Sequence, residues 1–185
     1  MTHAAYTRLA ATLLLTGCLD HELPDTAPRE HDVFIALQRD FRDFRDWMQF
    51  ELRTAVMHAG VSGPVFAYLN ELPPDDTSEF PIGTIIIKTV EIGPATEWTV
   101  HAMVKRGGGF NAQGALDWEY VDLAINEDDI PVIMWRGEKP PSDHGYESLL
   151  GGGADPALEV DCNSCHTGSD EDAILSDALA LDELQ

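Results

Sequence analysis

The run Gly83-Thr-Ile-Ile-Ile-Lys-Thr-Val90 decides the fold class, because it consists mostly of β-branched residues, which favour strands. Comparable runs lie before and after it, separated by turns rich in glycine, proline and aspartate. Strands joined by short turns favour antiparallel pairing. The last run is predicted at an edge, because Pro131 has no amide hydrogen for a central ladder. The predicted antiparallel sheet of about five strands comprises residues 65–69, 83–90, 97–105, 116–123 and 130–135.

An apolar stripe near the N-terminus predicts a helix over residues 31–58. Its large apolar side chains recur at spacings of three and four, and Gly60 and the pair Gly63-Pro64 end the pattern. The stripe consists of Phe34, Leu37, Phe41, Phe44, Met48 and Leu52. A C-terminal helix is predicted to begin at Ser169, whose hydroxyl can cap it. The predicted class is therefore α+β, with a sheet, an N-terminal helix and a C-terminal helical segment.

The motif Cys162-Asn-Ser-Cys165-His166 has the spacing of a c-type haem attachment site. Each thiol adds across one haem vinyl group, and the following imidazole binds the iron as proximal ligand. A zinc knuckle, a redox dithiol and a structural disulfide are the alternatives. Zinc needs four ligands, and the chain has no second cysteine pair to complete them. A dithiol does not explain the adjacent histidine, so we predict haem c, bound by the C-terminal helical segment.

The first residues predict export. Arg8 is followed by an apolar run that is too short to span a bilayer. The sequence Leu15-Thr16-Gly17-Cys18 resembles a bacterial lipobox, in which the cysteine is lipidated; the alternative is an ordinary signal peptide with a chance cysteine. We predict a lipoprotein signal peptide over residues 1–17, a tether over 18–30 and a haem domain over 31–185. The protein is then expected on the periplasmic side of a bacterial membrane, held only by its lipid.

The charge and the cysteine count narrow the class of partner. A formal net charge of −22 at pH 7 argues against nucleic acid and anionic lipid headgroups as partners. It is compatible with a basic redox partner such as a cytochrome, or with a neutral or cationic small molecule. With Cys18 lipidated and the other two cysteines bound to haem, no thiol remains for a disulfide framework.

Several residues are candidates for the surroundings of the haem. Lys88 shares a strand face with Ile86 and Val90, so its ammonium is either buried, with a lowered pKa, or reaches water at a strand end. His101 or Met103 could be a sixth iron ligand, as in an electron-transfer cytochrome, although Met103 could equally be core and His101 a satisfied or exposed polar residue. Weaker candidates are His58, Met134 and His144.

Five stretches of the chain follow one another in a characteristic order. They are Phe80-Pro-Ile-Gly-Thr-Ile-Ile-Ile-Lys88, Met103-Val-Lys-Arg106, Trp118-Glu-Tyr120, the haem motif, and Asp172-Ala-Ile-Leu-Ser176. Together they resemble the cytochrome P-460 family. The resemblance implies an antiparallel sheet with a few helices, one haem c, often a homodimer, and His166 as proximal ligand beneath an open distal position.

Two kinds of activity follow from the resemblance. Family members named cytochrome P-460 oxidise hydroxylamine to nitric oxide or nitrous oxide and carry a lysine bonded to the porphyrin, at the position of Lys88. Distal acid–base candidates are His101, Glu119 and His58. The related cytochromes c′-beta lack the cross-link and bind nitric oxide or carbon monoxide. An oxidoreductase, a gas-binding protein and an electron-transfer cytochrome with Met103 as sixth ligand are thus the three expectations.

Overall fold

A single antiparallel sheet forms the centre of the computed structural model, which describes residues 32–52, 63–141 and 162–185. The sheet has six strands that are neighbours in the order of the chain. They are β1 (Met48–Glu51), β2 (Val65–Leu69), β3 (Ile85–Val90), β4 (Thr99–Lys105), β5 (Trp118–Ile125) and β6 (Pro131–Gly137). The sheet is open, with β1 and β6 at its edges. The prediction of an antiparallel sheet is confirmed, with one strand more than expected.

The additional strand replaces the predicted N-terminal helix, which is wrong in its described part. Residues Gln38–Phe41 and Phe44–Asp46 form two short 3-10 helices, and Met48–Glu51 then pairs with β2. Between the two 3-10 helices Asp43 has φ of 55°, a left-handed conformation that ends a right-handed helix. Successive 3-10 turns also repeat every three residues, so they bury Phe41 and Phe44 on one side as a helical stripe would. Residues 53–58 of the prediction lie outside the described residues.

The sheet has an apolar cluster on each side, because alternate residues of each strand face opposite ways. We call the side covered by residues 34–47 the N-terminal face; there Phe41 and Phe44 pack on Tyr68, Ile87 and Val121. The other side, covered by residues 162–184, is called the C-terminal face. Its cluster includes Leu69, Ile86, Trp118, Tyr120, Ile174, Leu179 and Leu184, with Cys162 and Met103 packed against it.

The C-terminal segment is helical only in short pieces. Helix α1 (Cys162–His166) is a single turn, and a 3-10 helix (Asp177–Leu179) and α2 (Leu181–Leu184) follow. The helix predicted to begin at Ser169 is wrong: its hydroxyl accepts a hydrogen bond from the Glu171 amide at 3.1 Å, but the chain continues as a turn. Asp172 and Ala173 have φ of 45° and 68°, which a right-handed helix does not allow. No helix within the described ranges is long and apolar enough to cross a membrane.

Candidate functional site

Helix α1 is fixed on the C-terminal face by the side chain of its second residue. The Oδ1 atom of Asn163 accepts hydrogen bonds from Asn111 Nδ2 at 2.9 Å, the Ala115 amide at 3.1 Å and the Tyr120 hydroxyl at 3.0 Å. Its Nδ2 atom donates to Asn111 Oδ1 at 2.9 Å and to the Glu138 carbonyl at 3.3 Å. One amide thus joins the cysteine-containing turn to the β4–β5 loop, to β5 and to the end of β6.

The loop between β4 and β5 is shaped to receive that amide. Asn111 is buried with φ of 54°, and its Nδ2 also donates to the Trp118 carbonyl at 3.2 Å. A Cβ atom on Gly114 would lie 2.2 Å from the Asn163 side chain, so only glycine leaves room for it. The haem motif does not predict this contact, because Asn163 occupies one of its variable positions; the reciprocal partner lies 52 residues away in the chain.

His166 has one ring nitrogen engaged by the backbone. Its Nδ1 lies 2.6 Å from the carbonyl oxygen of Ala173. A carbonyl can only accept, so Nδ1 carries the hydrogen and the lone pair of the neutral ring is on Nε2. Burial lowers the pKa of His166, the charge of Lys88 lowers it further, and the hydrogen bond to Ala173 acts in the opposite direction. A neutral imidazole with Nδ1 bonded to a carbonyl is the state in which histidine binds a metal through Nε2.

The two cysteines have the chemistry that a covalent cofactor needs. Cys162 and Cys165 lie one helical turn apart, both are half-buried, and neither is in a disulfide bond. The Cys162 side chain packs on the apolar cluster of the C-terminal face, and the His166 ring lies 5.5 Å from the Tyr120 ring. Two thiols beside apolar surface, followed by an imidazole with an available nitrogen, fit a haem c donor set. Within the described ranges, including this motif, no three His, Cys, Asp or Glu side chains gather into a group that could hold a metal ion by themselves.

Three polar residues cross the same face of the sheet in one line. Lys88 on β3 is opposite His101 on β4, which is opposite Asp122 on β5. We call these three residues the polar row. His101 Nδ1 lies 3.3 Å from Asp122 Oδ1, and both side chains are mostly buried. Burial lowers the pKa of Lys88, and the charge of Lys88 in turn lowers the pKa of His166. Its amine is therefore nucleophilic at a lower pH than that of an exposed lysine.

The remaining candidates are placed differently. Met103 is half-buried on the C-terminal face and opposite Tyr120, one row from His101. Met134 is 60% exposed on the edge strand. Glu119 faces the other way: it is 2% exposed and its carboxylate pairs with Arg136 and, at 3.2 Å, with Arg106. A carboxylate held by two guanidinium groups on the N-terminal face is not available as a distal base, so this role is not supported.

The structure thus brings the two cysteines, His166, Lys88 and His101 to one face of the sheet. Cys18, His58 and His144 lie outside the described residues. Comparison of this chain with family models, with curated proteins and with solved structures finds no match.

The contact between Gly114 and Asn163 predicts the effect of a single methyl group. In Gly114→Ala the new methyl displaces an amide that is held by hydrogen bonds on both sides, so we expect a loss of about 2 kcal/mol in the free energy of unfolding. Urea denaturation of wild type and variant measures it. Gly168→Ala is the control, because its Cβ would lie 3.8 Å from the Cys165 carbonyl, an ordinary contact. Equal losses in the two variants would show that the amide does not hold α1.

Proposed function

We propose that this chain is a c-type haem protein that acts as an oxidoreductase on small nitrogen compounds, hydroxylamine or nitric oxide. It is proposed to work on the periplasmic side of a bacterial membrane, anchored by a lipid on Cys18. The observation that carries the proposal is the hydrogen bond from His166 Nδ1 to Ala173, which leaves Nε2 for a metal directly after two thiols. The sequence resemblance to the cytochrome P-460 family supports the same cofactor and the same class of substrate.

Three residues of the motif would hold the cofactor. Cys162 and Cys165 would form thioether bonds to its vinyl groups, which would keep it attached in a dilute compartment. His166 binds the iron through Nε2, and its lowered pKa keeps the ring neutral and able to coordinate. Haem c supplies an iron that takes up small nitrogen ligands and exchanges single electrons.

The polar row favours an enzyme over a protein that only binds a gas. Oxidation of hydroxylamine releases protons as well as electrons, so a proton acceptor is needed near the reacting nitrogen. His101 can accept a proton on Nε2 while Asp122, 3.3 Å from Nδ1, stabilises the resulting charge. Gas binding by itself requires only apolar surface, which the same face offers without these three polar groups.

Lys88 is the proposed site of a bond to the porphyrin ring. Of the three lysines of the chain, Lys105 is paired with Asp172 and Lys139 is exposed, whereas Lys88 is opposite His101 on the C-terminal face and has a lowered pKa. Forming the bond removes one hydrogen from the amine and one from a ring carbon; with a peroxide as the two-electron oxidant, hydrogen peroxide would be reduced to two water molecules.

Met103 supports a second candidate function. Its thioether is half-buried on the face that carries His166, where it could serve as a sixth iron ligand in an electron-transfer cytochrome. The acidic chain, with a net charge of −22, suits a basic redox partner in either case.

The first test is covalent attachment. In bacteria that mature c-type cytochromes, we expect the wild-type chain to retain haem on a denaturing gel and the double variant Cys162→Ser/Cys165→Ser to lose it. Cys18→Ser is the matched control: it should retain haem but leave the membrane fraction. A wild-type chain that releases all its haem on denaturation would refute the cofactor.

The second test concerns the cross-link. We expect a red-shifted ferrous Soret band in the wild-type holoprotein, its loss in Lys88→Met and its retention in Lys139→Met, where an exposed lysine is removed. An ordinary five-coordinate haem c spectrum in the wild type would rule the cross-link out.

The third test separates the functions. His101→Gln should lower kcat for hydroxylamine oxidation with an artificial acceptor about 100-fold, without changing the optical spectrum, because one acid–base group is lost. Thr99→Val, two residues along the same strand face, should retain the wild-type rate. A wild-type rate in His101→Gln would show that His101 takes no part in the reaction.

The optical spectrum of the wild-type holoprotein separates the other functions. A sharp low-spin spectrum that does not change when nitric oxide is added would favour electron transfer, and nitric oxide binding without turnover would favour a gas-binding protein.

A further inference from the structure

We infer that a buried ion pair between Lys105 and Asp172 positions the His166 ring and sets the strength of its Nδ1 hydrogen bond. The inference rests on the proposed function in one respect, namely that His166 is the iron ligand. Neither Lys105 nor Asp172 is part of the haem motif. Their action is on the backbone that orients the ligand.

The carboxylate of Asp172 accepts three hydrogen bonds on the C-terminal face. Its Oδ1 accepts from Lys105 Nζ at 2.6 Å and from Trp118 Nε1 at 3.1 Å, and its Oδ2 accepts from the Phe80 amide at 2.8 Å. The Lys105 and Asp172 side chains are 4% and 9% exposed. The ammonium also lies 5.1 Å from the centre of the Trp118 ring. The three donors offset much of the free energy that burying the Asp172 charge costs. They also fix the orientation of the carboxylate.

The position of this carboxylate decides where the next carbonyl points. Asp172 and Ala173 both have positive φ, so the chain reverses there, and the Ala173 carbonyl returns to His166 Nδ1 at 2.6 Å. Aspartate tolerates this conformation, but it is unfavourable for Ala173 and persists there only when neighbouring contacts determine it. The three donors to Asp172 are those contacts on one side of the turn. Buried Ile174, packed in the apolar cluster of the C-terminal face, is the contact on the other.

The consequence for the ligand is electronic as well as geometric. A hydrogen bond from Nδ1 to a carbonyl fixes the tautomer and makes Nε2 more basic. If the turn relaxes, the hydrogen bond from Nδ1 to the Ala173 carbonyl lengthens, and Nε2 becomes a weaker electron donor. Because a weaker donor stabilises oxidised iron less, the reduced state of a bound haem would be favoured. The ion pair therefore reaches the iron only through the Ala173 carbonyl, as a positioning element.

The experiment compares holoprotein variants by the iron–histidine stretching frequency in resonance Raman spectra and by reduction potential. Asp172→Asn removes the charge, and we expect a lower stretching frequency and a higher potential than in wild type. Trp118→Phe removes one donor to the same oxygen and should shift both in the same direction by less. Glu171→Gln is the matched control: it removes an exposed carboxylate from the same turn and should leave both values unchanged.

The possible outcomes are distinguishable. Unchanged frequency and potential in a folded Asp172→Asn variant would overturn the inference, as would an equal shift in Glu171→Gln. If Asp172→Asn does not fold, as judged by thermal unfolding, Trp118→Phe decides in the same way. A wild-type chain without covalent haem would mean that the proposed function has failed, whereas normal haem attachment with unshifted variants would mean that only the role of the ion pair is wrong.

Discussion

The side chain of Asn163 makes the contact on which the candidate site depends. A helical turn of five residues has no stability of its own, because nucleating a helix costs more than so few backbone bonds return. The hydrogen bonds of this amide to Asn111, Ala115, Tyr120 and Glu138 hold the turn against the sheet instead. The two thiols of α1 are therefore presented at fixed places, although the helix that carries them is minimal.

The two faces of the sheet carry different sets of charged groups. On the N-terminal face, the Glu119 carboxylate is paired with Arg136 and Arg106. On the C-terminal face, Lys88, His101 and Asp122 lie in one line across three strands. Alternate residues of a strand face opposite sides of the sheet. On β5, Glu119 therefore faces the N-terminal face, whereas Trp118, Tyr120 and Asp122 face the C-terminal face.

The sequence predicts the central strands well and the contacts of the site poorly. Residues such as Ile85, Ile86 and Ile87 favour a strand by themselves, so β3 is predictable from local composition. Strand β1 is not, because Met48–Glu51 owes its conformation to pairing with β2. The cysteine motif is visible as a spacing. In contrast, Asn163 and Asp172 act through partners 52 and 67 residues away, and no local pattern indicates those contacts.

Asn163 and Asp172 both contact β5, and Asp172 also contacts β4, which couples the site to the register of the sheet. Trp118 and Tyr120 lie on β5, where they are opposite Lys105 and Met103 of β4. Tyr120 holds Asn163 before His166 in the chain, while Lys105 and Trp118 hold Asp172 after it. A slip of one residue between β4 and β5 would turn these side chains to the opposite face, together with His101 or Asp122 of the polar row. Correct strand pairing, and not the helix that carries the cysteines, is thus the condition for orienting the His166 ring.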